Sequence, residues 1–186
     1  IYQIYPQSFY DTNGDGIGDL QGIIEKLDYI EDMGYTAIWL NPINSSSFRD
    51  AGYDVTDFYS VAERYGTNDD YKNLCTEAHK RNIKVIFDLV PGHTSIDHPW
   101  FKESGKVEKN KYSNRYIWTT STFNDGPGIA ALGERDNRCI LNFFWSQPAL
   151  NYGYANPNPE NPWELPVTHP DCVAMKEELK RIMDFW

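Results

Sequence analysis

Three short apolar segments, each leading through a loop towards a helical pattern, constrain this chain more than any other feature. "IYQIY" opens it, "TAIWLNP" spans 36–42 and "KVIFDLV" spans 84–90. Runs this dense in β-branched and aromatic residues read as strands, and "TAIWLNP", with no polar alternation, reads as buried on both faces. From Asp19, residues Leu20, Ile23, Ile24, Leu27 and Ile30 recur at helical spacing, and Gly34 stands where a helix C-cap glycine belongs. A polar loop is expected from Asn44 to about Gly66. "TNDDYKNLCTEAHKRN" then supplies a second helix, with Thr67 or Asn68 as N-cap and Asn82 as terminator. Strand–loop–helix units imply parallel strands joined by right-handed crossovers, so the expected class is α/β. After the third strand the rhythm breaks. Residues 91–170 are rich in Gly, Pro, Asn and aromatics without a long periodic helix, too long a stretch for an ordinary loop, and read as a small inserted domain. "DCVAMKEELKRIMDFW" restores a helix over 171–186, with Asp171 as N-cap and Val173, Leu179, Ile182 and Met183 as buried candidates. The expected organisation is therefore 1–90, 91–170 and 171–186.

Charge and hydropathy narrow the partners. A net charge of −10 lacks the basic footprint that nucleic acid requires, and no apolar run approaches the ~18 residues of a membrane span. Aromatics at 15% suit a core plus a surface on which flat ligands such as sugar rings stack. Cys75, Cys139 and Cys172 form no CxxC pair and read as reduced thiols rather than a zinc site or a disulfide framework. The chain starts inside an apolar run and ends within a helical pattern, as a piece of a longer protein would.

The loop "DTNGDGIGD" places oxygen donors at Asp11, Asn13, Asp15 and Asp19, with Gly16 sixth and the Ile17 carbonyl seventh. This is the start of a calcium loop, where the sixth residue turns sharply and the seventh offers its carbonyl. The twelfth position, a bidentate Glu in an EF-hand, is Gly22, and a strand rather than a helix precedes the loop. A sensor is therefore not expected. A static calcium site and a metal-free cluster of Asx turns capping the helix at Asp19 both fit.

In parallel α/β folds, ligands bind beyond the carboxyl ends of the strands. "FRDAGYDVTDF" follows the second strand and "FDLVPGHTS" ends the third, placing Asp50, Tyr53, Asp54, Asp88 and His93 in such loops. Tyr53 offers a face to a pyranose while Asp50 accepts from its hydroxyls. His93 is a further donor, and Asp88 would orient it or a neighbouring cation. Singly, Asp54 also reads as a loop-bracing carboxylate, and Tyr53 and His93 as packing residues.

The segments "YQIYPQSFYDTNGDGIGDLQGI", "AIWLNPI", "AGYDVTDF", "KVIFDLVPGHTS" and "QPALN", in that order, resemble the α-amylase superfamily of retaining glycoside hydrolases, in its oligo-1,6-glucosidase and neopullulanase-like branch. The resemblance implies the N-terminal part of a (β/α)8 TIM barrel with an inserted domain B after strand 3. It implies a structural calcium held by Asp11, Asn13, Asp15, the Ile17 carbonyl and Asp19. It implies that Asp50 binds the terminal glucose in exo-acting members, that Tyr53 stacks under that sugar, that His93 contacts its primary hydroxyl, and that Asp88 supports an active-site arginine. The implied substrate is an α-linked gluco-oligosaccharide.

Two departures stand out. Gly92 replaces the asparagine of the usual Asn-His pair, which ligates a second calcium in many α-amylases, and "QPALN" carries Ala149 where the branch usually has Asp. The nucleophilic Asp, the acid/base Glu and the supporting Asp of the family mechanism belong after strands four, five and seven. None is present, so the chain alone is expected to be catalytically silent and to fold poorly. A parent enzyme that hydrolyses or transfers α-glucosyl units is the leading reading. A non-catalytic barrel homologue with a scaffold role and a calcium-dependent carbohydrate-binding module are the alternatives.

Overall fold

The computed structural model describes residues 1–120, 129–130 (backbone) and 132–186. By compactness the chain divides into two units, Ile1–Ser45 with Asp57–Leu89, and Ser46–Thr56 with Val90–Trp186.

The first unit is built on three parallel strands, β1 (Tyr2–Ile4), β2 (Ala37–Leu40) and, counting in chain order, β5 (Lys84–Phe87). Their order is β1-β2-β5, with Tyr2 opposite Ile38 and Ile38 opposite Val85. Burial on both faces holds for most of β2 but not for β5. Lys84 and Ile86 of β5 are exposed, and so is Trp39 of β2. Among the described residues β5 is paired on one side only, so its apolar side chains are less covered than "KVIFDLV" suggests.

The helix expected from Asp19 is two, α1 (Leu20–Glu25) and α2 (Leu27–Asp32). Lys26 leaves helical geometry at φ −102, ψ 5, and its N–H bonds back to Ile23. The apolar face survives the break, since Leu20, Ile23, Leu27 and Ile30 are fully buried. Gly34, at φ +79, ends the pair in the left-handed conformation that favours glycine. α3 (Asn68–Lys80) starts at a reciprocal capping box. Thr67 accepts from the Asp70 N–H, and Asp70 accepts from the Thr67 N–H at 2.7 Å. α1 packs on α3, whose buried face is Tyr71, Leu74 and Ala78.

The polar loop expected from Asn44 to Gly66 contains strands β3 (Asn44–Ser46) and β4 (Val55–Val61), which pair. Polar side chains supply part of the pairing that hides them from a hydropathy reading. Asn44 donates to the Phe58 carbonyl at 3.0 Å, and the Ser45 and Ser60 hydroxyls bond at 2.8 Å.

The second unit has little regular structure, as its composition implies: α4 (Pro99–Ser104), β6 (Ile129–Ala130), β7 (Cys139–Ile140) and α5 (Pro170–Phe185). Phe101, Tyr116, Trp118, Cys139, Leu150 and Met175 form its core, Phe101 stacking on Trp118 at 5.6 Å. α5 begins one residue before the expected start. His169, not Asp171, is the N-cap, its Nδ1 accepting from the Asp171 N–H, and Pro170 takes the first helical position. Its buried residues are Cys172, Met175 and Ile182, whereas Val173 and Met183 are exposed and Leu179 is half-buried. All three cysteines are free thiols. No helix of the described residues is long and apolar enough to cross a membrane.

Breaking the capping box should be measurable. Thr67→Ala is expected to lower stability by about 1 kcal/mol in urea unfolding, with Thr67→Ser close to the parent.

Candidate functional site

The loop joining β3 to β4 is short and strained. Phe48 (φ 54) and Ala51 (φ 52) both take left-handed backbone that non-glycine residues rarely adopt, at about 1 kcal/mol or more each, and Gly52 follows at φ 101. Asp54 holds it. This carboxylate is fully buried, and its Oδ1 accepts from the Ser46 hydroxyl at 2.8 Å and the Asp50 N–H at 3.2 Å. Its Oδ2 accepts from the Arg49 N–H at 3.0 Å. Asp54 is thus the loop brace. Arg49 reaches further, pairing with Asp97, whose carboxylate also accepts from the Ser47 hydroxyl at 2.7 Å. The Ser47 hydroxyl and then Arg49 hold the Asp97 carboxyl below its usual range.

With the loop so fixed, Asp50 and Tyr53 stand on one turn, the Tyr53 N–H donating to the Asp50 carbonyl at 2.8 Å. Asp50 accepts a 2.6 Å bond from the side-chain amide of Gln147, which is fully buried and itself accepts from the Phe144 N–H. His93 is 8% exposed and its Nε2 lies 3.1 Å from the Tyr53 carbonyl. Burial lowers its pKa, against smaller opposing effects of the Tyr53 carbonyl, Asp50 and Asp54. Its segment meets "QPALN" in an isolated antiparallel bridge: His93 pairs with Ala149, and the Leu150 N–H donates to the Gly92 carbonyl. Three exposed aromatics, Phe143, Phe144 and Trp145, lie between Asn142 and Gln147.

The structure thus brings Asp50, Tyr53, Asp54 and His93 together within the second unit. Asp88 follows β5 directly, is half-buried and belongs to the first. Gln147 opens "QPALN", where the sequence alone assigns it no role, and Asn142, whose amide is 3.0 Å from His93 Nδ1, gives no signal in the sequence. Neither had a partner to be read from spacing, being 97 and 49 residues away from theirs.

The glycine-rich loop belongs to the first unit and closes through its own side chains. Asp11 accepts from the N–H groups of Asn13, Gly14 and Gly16, Asn13 from that of Asp15, and Asp15 from that of Ile17. The Gly16 and then the Gly14 amide hold the Asp11 carboxyl below its ordinary value. Asp19 caps α1, its Oδ1 accepting from Gly22 at 2.7 Å, while its Oδ2 takes the Thr12 N–H and hydroxyl. The donors are all oxygens and fit calcium by their chemistry. They are not gathered, however, into any group of three or more metal-binding acids, histidines or cysteines among the described residues. Asp19 in particular is turned to its helix.

Comparison with known proteins matches residues 3–186 to the catalytic domain of α-amylase. The chain is 52% identical over 196 residues to an oligo-1,6-glucosidase of Bacillus cereus, covering all of this chain and 32% of that protein. An oligo-1,6-glucosidase of Bacillus sp. (strain F5) is 42% identical over 194 residues, with 100% and 35% covered. Among solved structures, a mutant trehalose-6-phosphate hydrolase of Bacillus licheniformis superposes with a TM-score of 0.82 at 40% identity, covering 100% of this chain and 32% of the other. The chain spans about a third of the length of these relatives.

The buried imidazole gives a signed pH dependence. Unfolded, His93 titrates near 6.5 and folded it titrates lower, so the unfolded chain binds more protons as the pH falls below that value. Stability is present in full above about pH 6.5 and lost progressively as the pH drops towards the folded pKa. The urea midpoint is expected to fall between neutral pH and mildly acidic pH, and His93→Gln to reduce that fall.

Proposed function

This chain belongs to the α-amylase catalytic-domain family, its three parallel strands being part of that family's (β/α)8 barrel, and from that premise we propose that it is the glucose-holding part of an exo-acting α-glucosidase-like enzyme. The enzyme hydrolyses or transfers α-glucosyl units of short oligosaccharides. The observation that carries this reading is the meeting of Asp50, Tyr53 and His93 at one bonded cluster, although they come from segments forty residues apart. A scaffold has no need of a carboxylate, an aromatic ring and an imidazole held so firmly together.

In this role Asp50, oriented by Gln147, accepts hydrogen bonds from the hydroxyls of the terminal glucose, and Tyr53 lies against its apolar face. His93 Nε2–H already has the Tyr53 carbonyl as acceptor, so its contact with the primary hydroxyl is a shared bond. Phe143 and Phe144, at 5.0 Å between ring centres, offer further apolar surface beside the polar cluster. Asp88 supports the arginine that accompanies the nucleophile. Cleavage is retaining, by two carboxylates about 5–5.5 Å apart that form and then hydrolyse a covalent glycosyl intermediate.

Calcium belongs to the same proposal, with Asp11, Asn13, Asp15 and the Ile17 carbonyl as its ligands and Asp19 at the edge of the site. Bound there, it supplies the positive charge that relieves repulsion among the acids and ties the end of β1 to the start of α1. The all-oxygen donor set supports this reading.

Asp50→Ala in the intact protein is expected to lower kcat/KM on maltotriose-sized substrates far more than on long polymers, and equal losses on both would overturn the exo-acting assignment. Calcium is expected to raise the melting temperature of the parent protein. Asp15→Ala should abolish that protection while leaving activity at low temperature nearly unchanged, and a melting curve indifferent to calcium would remove the metal from the proposal.

A further inference from the structure

Gly92 stands beside His93 with no side chain, and the space it leaves is not empty. A Cβ built there would lie 2.4 Å from the side-chain nitrogen of Asn142, far inside contact distance. The same nitrogen is 3.0 Å from His93 Nδ1. Asn142 is fastened in turn by its own N–H, which donates to the Gln147 carbonyl at 2.9 Å.

The protons can be counted around the ring. The Tyr53 carbonyl can only accept, so Nε2, 3.1 Å away, carries a hydrogen. Burial disfavours the imidazolium, with Asp50 and Asp54 the acids that oppose it. A neutral ring with Nε2–H has a bare Nδ1, and Nδ1 then requires a donor. The Asn142 amide is that donor, and the chemistry assigns its nitrogen rather than its oxygen to the ring. We propose that Asn142 is the positioning residue of His93: lodged where only glycine at 92 leaves room, it locks the ring in the Nε2–H tautomer facing Tyr53. The inserted segment thereby sets the ring from 49 residues away. The consequence for sugar binding rests on the function proposed above, but the tautomer does not.

The test uses the intact protein labelled with 15N in its histidine rings. His93 is expected to show a protonated Nε2 and a hydrogen-bonded, unprotonated Nδ1 at neutral pH. Asn142→Asp, equal in size but accepting instead of donating, should protonate both ring nitrogens. Asn142→Ala should shift Nδ1 alone, Gly92→Ala should reproduce that shift by displacing the amide, and the double variant should add nothing further. In activity, Asn142→Ala should raise KM for a short gluco-oligosaccharide about fivefold, the worth of one ordinary hydrogen bond, with kcat changed less. Unaltered His93 nitrogen shifts in folded Asn142→Asp, or additive effects of Gly92→Ala and Asn142→Ala, would overturn the inference. Asn142→Asp decides alone should Gly92→Ala fail to fold. A protein with no glucosidase activity but with these ring signatures keeps the inference and loses the proposed function.

Discussion

A carboxylate with no exposed surface, Asp54, carries the geometry on which the candidate site rests. Its two oxygens gather the Ser46 hydroxyl and the N–H groups of Arg49 and Asp50, closing a loop that contains two left-handed non-glycine residues. Charge-assisted bonds of this kind are each worth about 1.5–3 kcal/mol, which offsets the strain at Phe48 and Ala51. The brace sets the backbone that carries Asp50, while Gln147 holds the Asp50 carboxylate itself. A fully buried residue thus fixes the loop backbone from which Asp50 and Tyr53 extend.

The second constraint is the neutrality of His93. A buried imidazole sandwiched between a carbonyl and an amide has one tautomer compatible with both, and the two partners come from the β3–β4 loop and the inserted segment. Gln147 extends the same logic to Asp50. The "QPALN" stretch is therefore a support rail: it pairs with the His93 segment through backbone and reaches Asp50 through a side chain. Ala149, where the branch usually has Asp, sits opposite His93 on that rail and is buried, an apolar spacer between two polar contacts.

Much of the fold was legible. The parallel strands, α3 with Thr67 and Asn82 at its ends, and Gly34 as a helix stop are local effects of periodicity and capping, and local effects are readable. β3 and β4 were hidden because Asn44, Ser45 and Ser60 use their side chains for pairing, so a polar run looked like a loop. α5 took His169 rather than Asp171 as its cap because Pro170 fits the first helical position. Its buried face takes in Met175 because that side chain packs into the neighbouring aromatic core.

At the site the division is sharper. Sequence by itself determined the class of fold and the family resemblance, and it put forward Asp50, Tyr53 and His93 as candidates, since each sits in a short motif whose chemistry is carried by its own neighbours. It also determined the oxygen-rich character of the Asp11–Asp19 loop. The tertiary structure chose between readings that the sequence left open, making Asp54 a brace and turning Asp19 to α1, and it alone showed that Gln147 and Asn142 hold Asp50 and His93. These are hydrogen bonds whose strength depends on angle and burial rather than on spacing along the chain, and partners 49 or 97 residues apart meet only once the backbone has folded.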